Sequence, residues 1–251
     1  MKMKRFGIAK QNKKSEPLPV PPGGDAPQTP YPDFDITNKD KWNLDWDEKT
    51  KRLVVDRVEN IPSYRFFSTE EARLLESLCD CALPQADRPE TQRVPIAPWI
   101  DERLYKDEGS GYRYENMPED QQAYRMGLQG FNETAQHLFG TAFVDLQRTN
   151  QEEVLRQVAD GSPPGQIWKR LSAVLFFQRF MSDVITNYYA NPQAWAEIGF
   201  SGPASPRGHI RLRLNFHDPW EARERQPHSS VEIVRQSRGK RKGPAKGGPT
   251  H

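Results

Sequence analysis

Cysteine is almost absent: the 251 residues hold two, Cys79 and Cys81. Two positions apart on a helix, they project about 200° from each other at 3.6 residues per turn, so they do not bond to one another. A disulfide framework is excluded, and each sulfur is read either as a packed thiol or as a bridge to a partner chain. Long apolar runs are missing too. The most apolar window, Ala173 to Phe177, is broken by Gln178 and Arg179, whereas crossing a bilayer takes about 20 residues, so no direct membrane insertion is expected. Lys2, Lys4 and Arg5 precede only the weak apolar patch Phe6 to Ala9. The chain is therefore read as having no signal peptide and no twin arginine, and as cytoplasmic by sequence. An excess of one charge is lacking as well, since 36 basic residues face 34 acidic ones. No global field points to nucleic acid. With 35% hydrophobic residues and a mean hydropathy of -0.88, part of the chain is expected to lie outside any core.

The signatures of catalysis are equally sparse. The histidines are His137, His209, His217, His228 and His251, and none stands at metal-ligand spacing from another histidine, a cysteine or a carboxylate. No G-x-G-x-x-G follows a strand pattern, and Gly109-Ser110-Gly111 reads as a turn in a charged loop. The c-type haem, G-x-S-x-G and phosphate-loop patterns do not occur. Acid pairs such as Glu70-Glu71 and Glu152-Glu153 fall in first helical turns, where the helix dipole accounts for them. The sequence therefore offers no catalytic, cofactor-binding or metal-ligating residue.

What the chain does contain is helical periodicity between two unusual ends. Residues 1–40 read as a disordered proline-rich arm, with seven prolines between Glu16 and Asp33. Residues 41–60 suggest a small hairpin, with Leu53 and Val55 on one face and a turn at Asp47 to Thr50. Residues 61–225 form the folded body, and 226–251 a disordered basic tail carrying Arg238, Lys240, Arg241 and Lys242. Within the body, Ser68 and Glu71 make a capping-box pattern ahead of Leu75, Leu78, Cys79 and Ala82, and Pro84 closes that helix. Pro98 opens a short second helix. Pro118, Glu119 and Asp120 open a third, with Tyr124, Leu128, Phe131, Ala135, Leu138 and Phe139 on its core stripe and Gly140 at its end. Thr149 and Glu152 suggest another capping box. The longest helix is expected from about Gly165 to Ala190, carrying Trp168, Leu171, Leu175, Met181, Ile185 and Tyr188. The fold class is all-α, a single helical domain of about five or six helices.

The stretch YYANPQAWAEIGFSGPASPRG, from Tyr188 to Gly208, is too rich in Gly and Pro for a helix and too apolar for a linker. It reads as a fixed segment that presents a surface, with Asn191-Pro192 ending the longest helix, one more turn over Gln193 to Ile198, and the loop proper from Gly199 to Gly208. Tyr188, Tyr189, Trp195, Phe200, Pro203, Pro206 and Arg207 are its candidate interface residues, with tryptophan and tyrosine as anchor types. Trp195 has a second reading, as the seal at the end of the longest helix.

This stretch belongs to an ordered set. FFSTEEARLLESLCDCALP, VPIAPWIDERL, GYRYENMPEDQQAYRMGL, the loop itself and DPWEA follow one another between Phe66 and Ala222. In that order they resemble the gluconate 2-dehydrogenase subunit 3 (small or gamma subunit) family. The resemblance implies a helical, non-catalytic accessory subunit bound to a large flavoprotein of the glucose-methanol-choline (GMC) oxidoreductase family, often beside a cytochrome c. FAD and haem c would then sit in the partner subunits. The small subunit of such complexes is associated with maturation and stability of the flavoprotein and, in many members, with its export, which would place this chain in the periplasm when carried across with a partner. A free-standing helical protein-binding or scaffold module is the alternative reading.

Overall fold

The computed structural model describes residues 46–86, 88–109, 117–200 and 202–203. Among them are seven α-helices and no strand: α1 (Glu48–Glu59), α2 (Thr69–Ala82), α3 (Ala97–Tyr105), α4 (Asp120–Phe139), α5 (Arg148–Ala159), α6 (Ala173–Tyr189) and α7 (Pro192–Ile198). Single 3₁₀ turns occur at Glu90–Gln92, Phe143–Asp145 and Ile167–Lys169. The all-α expectation holds. The proline-rich arm, the basic tail and most of the loop after Gly199 lie outside the described residues.

Several helix boundaries follow from local chemistry. Ser68 Oγ accepts the Glu71 N–H and the Glu71 carboxylate accepts the Ser68 N–H, so the capping box forms and α2 starts after it. Pro98 stands in the first turn of α3, and α4 stops where Gly140 takes a left-handed conformation.

Helices α2 to α6 enclose the main core. Leu75 and Leu78 of α2, Ile100 and Leu104 of α3, and Val154 and Val158 of α5 are buried around an aromatic centre. Phe131 of α4 meets Trp168 edge-on at 5.9 Å and Phe180 at 6.2 Å between ring centroids. Glycine makes this approach possible. A Cβ at Gly127 would lie 2.0 Å from the Phe176 ring, and one at Gly130 would lie 2.5 Å from the Trp168 indole. Each glycine costs the helix about 1 kcal/mol of propensity, and the close seating of α6 and the 3₁₀ turn on α4 offsets that cost.

Two buried carboxylates lock the elements together. Asp101 of α3 accepts the backbone N–H groups of Arg65 (2.7 Å), Phe66 (3.1 Å) and Phe67 (2.9 Å), fixing the segment ahead of α2. Asp183 of α6 accepts the Tyr124 hydroxyl at 2.5 Å and pairs with Arg103 at 2.8 Å and Arg179 at 2.7 Å. Arg103 also pairs with Asp120 at 2.6 Å. One carboxylate thus joins α3, α4 and α6. Burial, with Asp183 beside it, pushes the Tyr124 phenol well above its ordinary value.

The structure corrects four sequence expectations. Where a hairpin was expected there is α1, because Asp47 Oδ1 accepts the Thr50 N–H at 2.8 Å and acts as a helix N-cap rather than a turn. The longest helix begins at Ala173 instead of Gly165: Ser172 caps it, and the preceding apolar residues belong to the Ile167–Lys169 turn. That leaves α4, from Asp120 to Phe139, as the longest helix. Thr149 makes no capping box, since α5 opens at Arg148 with Gln147 at the N-cap position and no side-chain cap bond. Leu138, Phe139 and Ile185 are exposed rather than in the core. The chain reverses after Gly140, and the fully buried Phe143 supplies the ring that packs on Phe131.

A smaller cluster lies apart from the main core. Trp46, Val54 and Trp195 form it, with Val55 and Val58 packed against them, and it seats α1 on α7.

Candidate partner-docking site

The chain turns a sharp corner after α6, and the residues of the corner dictate it. Pro192 cannot continue a helix with its missing N–H but suits a first turn. Asn191, buried, accepts the Gln193 N–H at 2.9 Å and caps α7, which ends at Gly199 with φ 64°.

Arg88, from the segment between α2 and α3, braces this corner from behind. It is buried and donates to the Gln193 carbonyl (3.0 Å) and the Tyr188 hydroxyl (3.0 Å), and it forms an ion pair with Glu197. The Tyr188 hydroxyl in turn donates to Glu197 at 2.6 Å. Burial, reinforced by the Glu197 carboxylate, holds the Tyr188 phenol above its ordinary value.

On the other side, the Trp195 indole N–H donates to the Tyr189 carbonyl at 2.8 Å and its ring stands edge-on to Phe200 at 5.0 Å. Trp195 is 6% exposed, packed among residues of its own chain. Gly202 runs between two tryptophans: with φ at +82°, a Cβ there would lie 2.4 Å from the Trp46 ring and 3.0 Å from that of Trp195. The Trp46 indole N–H donates to the Pro203 carbonyl at 2.8 Å, closing the clamp.

What remains outward is apolar. Tyr189 is 39% exposed, Phe200 41% and Ile198 50%. Large apolar side chains held on a rigid backing lose little freedom on binding, which is the character of an interface anchor. The structure therefore brings Tyr188, Tyr189, Trp195, Phe200 and Pro203 together and divides them, with Tyr188 and Trp195 inside and Tyr189 and Phe200 outside. Pro206 and Arg207 lie outside the described residues. Cys79 and Cys81 are free and buried in α2, where desolvation pushes both thiols up.

Sequence reasoning missed Arg88, Glu197 and Trp46. Glu197 carried a signal, since a carboxylate in the last turn of a helix opposes the dipole and implies a cationic partner. Arg88 and Trp46 lie in irregular chain, where periodicity is silent. Among the described residues, no three His, Cys, Asp or Glu side chains are grouped to hold a metal ion, and no helix is long and apolar enough to cross a membrane.

A family model described as gluconate 2-dehydrogenase subunit 3 matches residues 69–202, more than half of the chain. No curated protein and no solved structure matches significantly. The matched span begins at the first residue of α2, leaves α1 ahead of it, and ends at the glycine clamped between Trp46 and Trp195. By that match, the chain belongs to the gluconate 2-dehydrogenase subunit 3 family.

Proposed function

We propose that this chain is the non-catalytic accessory subunit of a flavin-dependent sugar or sugar-acid dehydrogenase complex, and that it supports maturation and stability of a GMC-family flavoprotein subunit. FAD belongs to that partner, and haem c to a cytochrome subunit where one is present. The family match carries the reading, because a family of dehydrogenase subunits implies other chains to act with. The outward trio of Tyr189, Ile198 and Phe200 on the braced corner supports it as the surface offered to the flavoprotein. Co-expression with a GMC flavoprotein from the same organism tests the proposal. The expected result is a stoichiometric complex on size exclusion and a higher yield of flavin-loaded flavoprotein than without this chain. A chain that elutes alone, with flavoprotein yield unchanged, would refute it and leave the scaffold reading standing.

A further inference from the structure

We infer that α1 is a clip: by way of Trp46 it holds Gly202 and Pro203, and with them the outward pose of Phe200, so a helix ahead of the matched span sets whether the corner is ready to dock. Phe200 has little to fix it locally. Gly199 precedes it at φ 64° and Gly202 follows two places on at φ 82°, and glycine takes either hand of backbone with little preference. On the α7 side, the Phe200 N–H donates to the Trp195 carbonyl at 3.0 Å and its ring stands edge-on to the Trp195 indole. On the other side the hold is Trp46. Its ring closes on Gly202 so tightly that a Cβ there would lie 2.4 Å away, and its N–H bonds the Pro203 carbonyl at 2.8 Å.

The helix that Trp46 introduces ties it back to the bundle. Asp47 caps α1 directly after Trp46, and Val54, with Val55 and Val58, packs the helix on Trp195. Roughly 15 Å further along, at 1.5 Å per residue, the Arg57 guanidinium donates to Asn187 Oδ1 at 3.3 Å and lies over the Trp99 ring at 4.0 Å. Asn187 is itself anchored, since its amide donates to the Asp183 carbonyl at 2.9 Å in the middle of α6. One end of α1 is thus on the corner and the other on α3 and α6. The apolar part of this hold is a cluster separate from the main core, so its loss loosens the corner and leaves the bundle packed. The contact of Trp46 with Pro203 also means that the chain enters and leaves the described body at one pole, beside the outward trio.

Hydrogen exchange on the full chain tests the clip. In Trp46→Ala the amides of α7 and Phe200 should exchange about tenfold or more faster than in the wild type, while those of α2 to α6 keep their protection. Gly202→Ala, whose methyl meets the Trp46 ring, should give the same local pattern. Unchanged exchange at α7 in either variant, or loss of protection throughout the bundle, would overturn the inference. Resting on the docking role proposed above, both variants should also retain a co-expressed GMC flavoprotein about tenfold less well, although Trp46 and Gly202 are buried and offer a partner almost no surface. Retention equal to wild type, with Phe200→Ser still deficient, would overturn the part of the clip in docking. A wild-type chain that retains no flavoprotein would count against the accessory role alone, because the exchange measurement decides the clip without it.

Discussion

Asp183 lies in the middle of the largely apolar helix α6, and its energetics depend on every partner being present. Removing one member of a buried ionic group leaves the others desolvated and uncompensated, at about 3–5 kcal/mol. Asp183→Ala, which leaves Asp120 as the carboxylate of Arg103 and Arg179 among the described residues and strips the Tyr124 hydroxyl of its acceptor, is expected to cost about 3 kcal/mol, the low end of that range, in a urea titration. Gly127→Ala adds only a methyl, yet the methyl meets the Phe176 ring, and overpacking of this kind costs about 1–3 kcal/mol. The same titration reads it. At this scale the sequence was partly legible. Tyr124 and Phe131 declare themselves by spacing, whereas Leu138 and Phe139 share the spacing but sit in a last turn that the core does not reach. Periodicity reports which face a residue is on and says nothing of how far along a helix the packing extends.

Helices and turns add their own signals. The turn Ile167–Lys169 is held by Glu133 of α4, whose carboxylate accepts the Ile167 N–H at 2.9 Å. The Ile167 and Gln166 amides hold the Glu133 carboxyl below its ordinary 4.5. The folded chain therefore binds this proton less readily than the unfolded one. The resulting stability is complete above pH 4.5 and is lost as pH falls through the lower folded value. Glu133→Gln should flatten the acid side of a melting-temperature profile between pH 7 and pH 3. It should not abolish the slope, since Lys106 and Arg65 hold the Glu102 carboxyl down in the same way. Element boundaries were legible where a cap residue had one reading, as at Ser68. They failed where it had two. Asp47 and Thr50 suit a turn as well as an N-cap, and Val54 and Val55 favour strands, so a hairpin pattern overlies what is a helix.

Across the whole molecule, the proposed docking role of the braced corner predicts that stability and recognition separate there. Trp195→Ala removes a buried indole with its hydrogen bond and is expected to cost about 3–5 kcal/mol of stability. Phe200→Ser and Tyr189→Ser change half-exposed rings and should leave the melting temperature within a few degrees of wild type. They should nonetheless weaken flavoprotein retention tenfold or more, about 1.4 kcal/mol, as measured by competition between co-expressed variants. Equal loss of binding and stability in all three would make the whole corner structural. The sequence exposed this corner as the place to look, because Pro, Gly and aromatics crowd there. It did not reveal which rings face inward, since that depends on Arg88 and Trp46, remote in sequence from the corner they contact.

The three amides gathered by Asp101 also set how far a disturbance can travel. Force applied to α1 reaches Arg65 and meets a carboxylate anchored in α3, not a free joint. Along the chain, a pull on the amino-terminal side thus stops at this anchor before it reaches α2. A tether fused ahead of α1 would load Trp46, the ring that clamps Gly202 and Pro203, before it loaded α2, so tension at that end is felt first at the corner and last in the bundle.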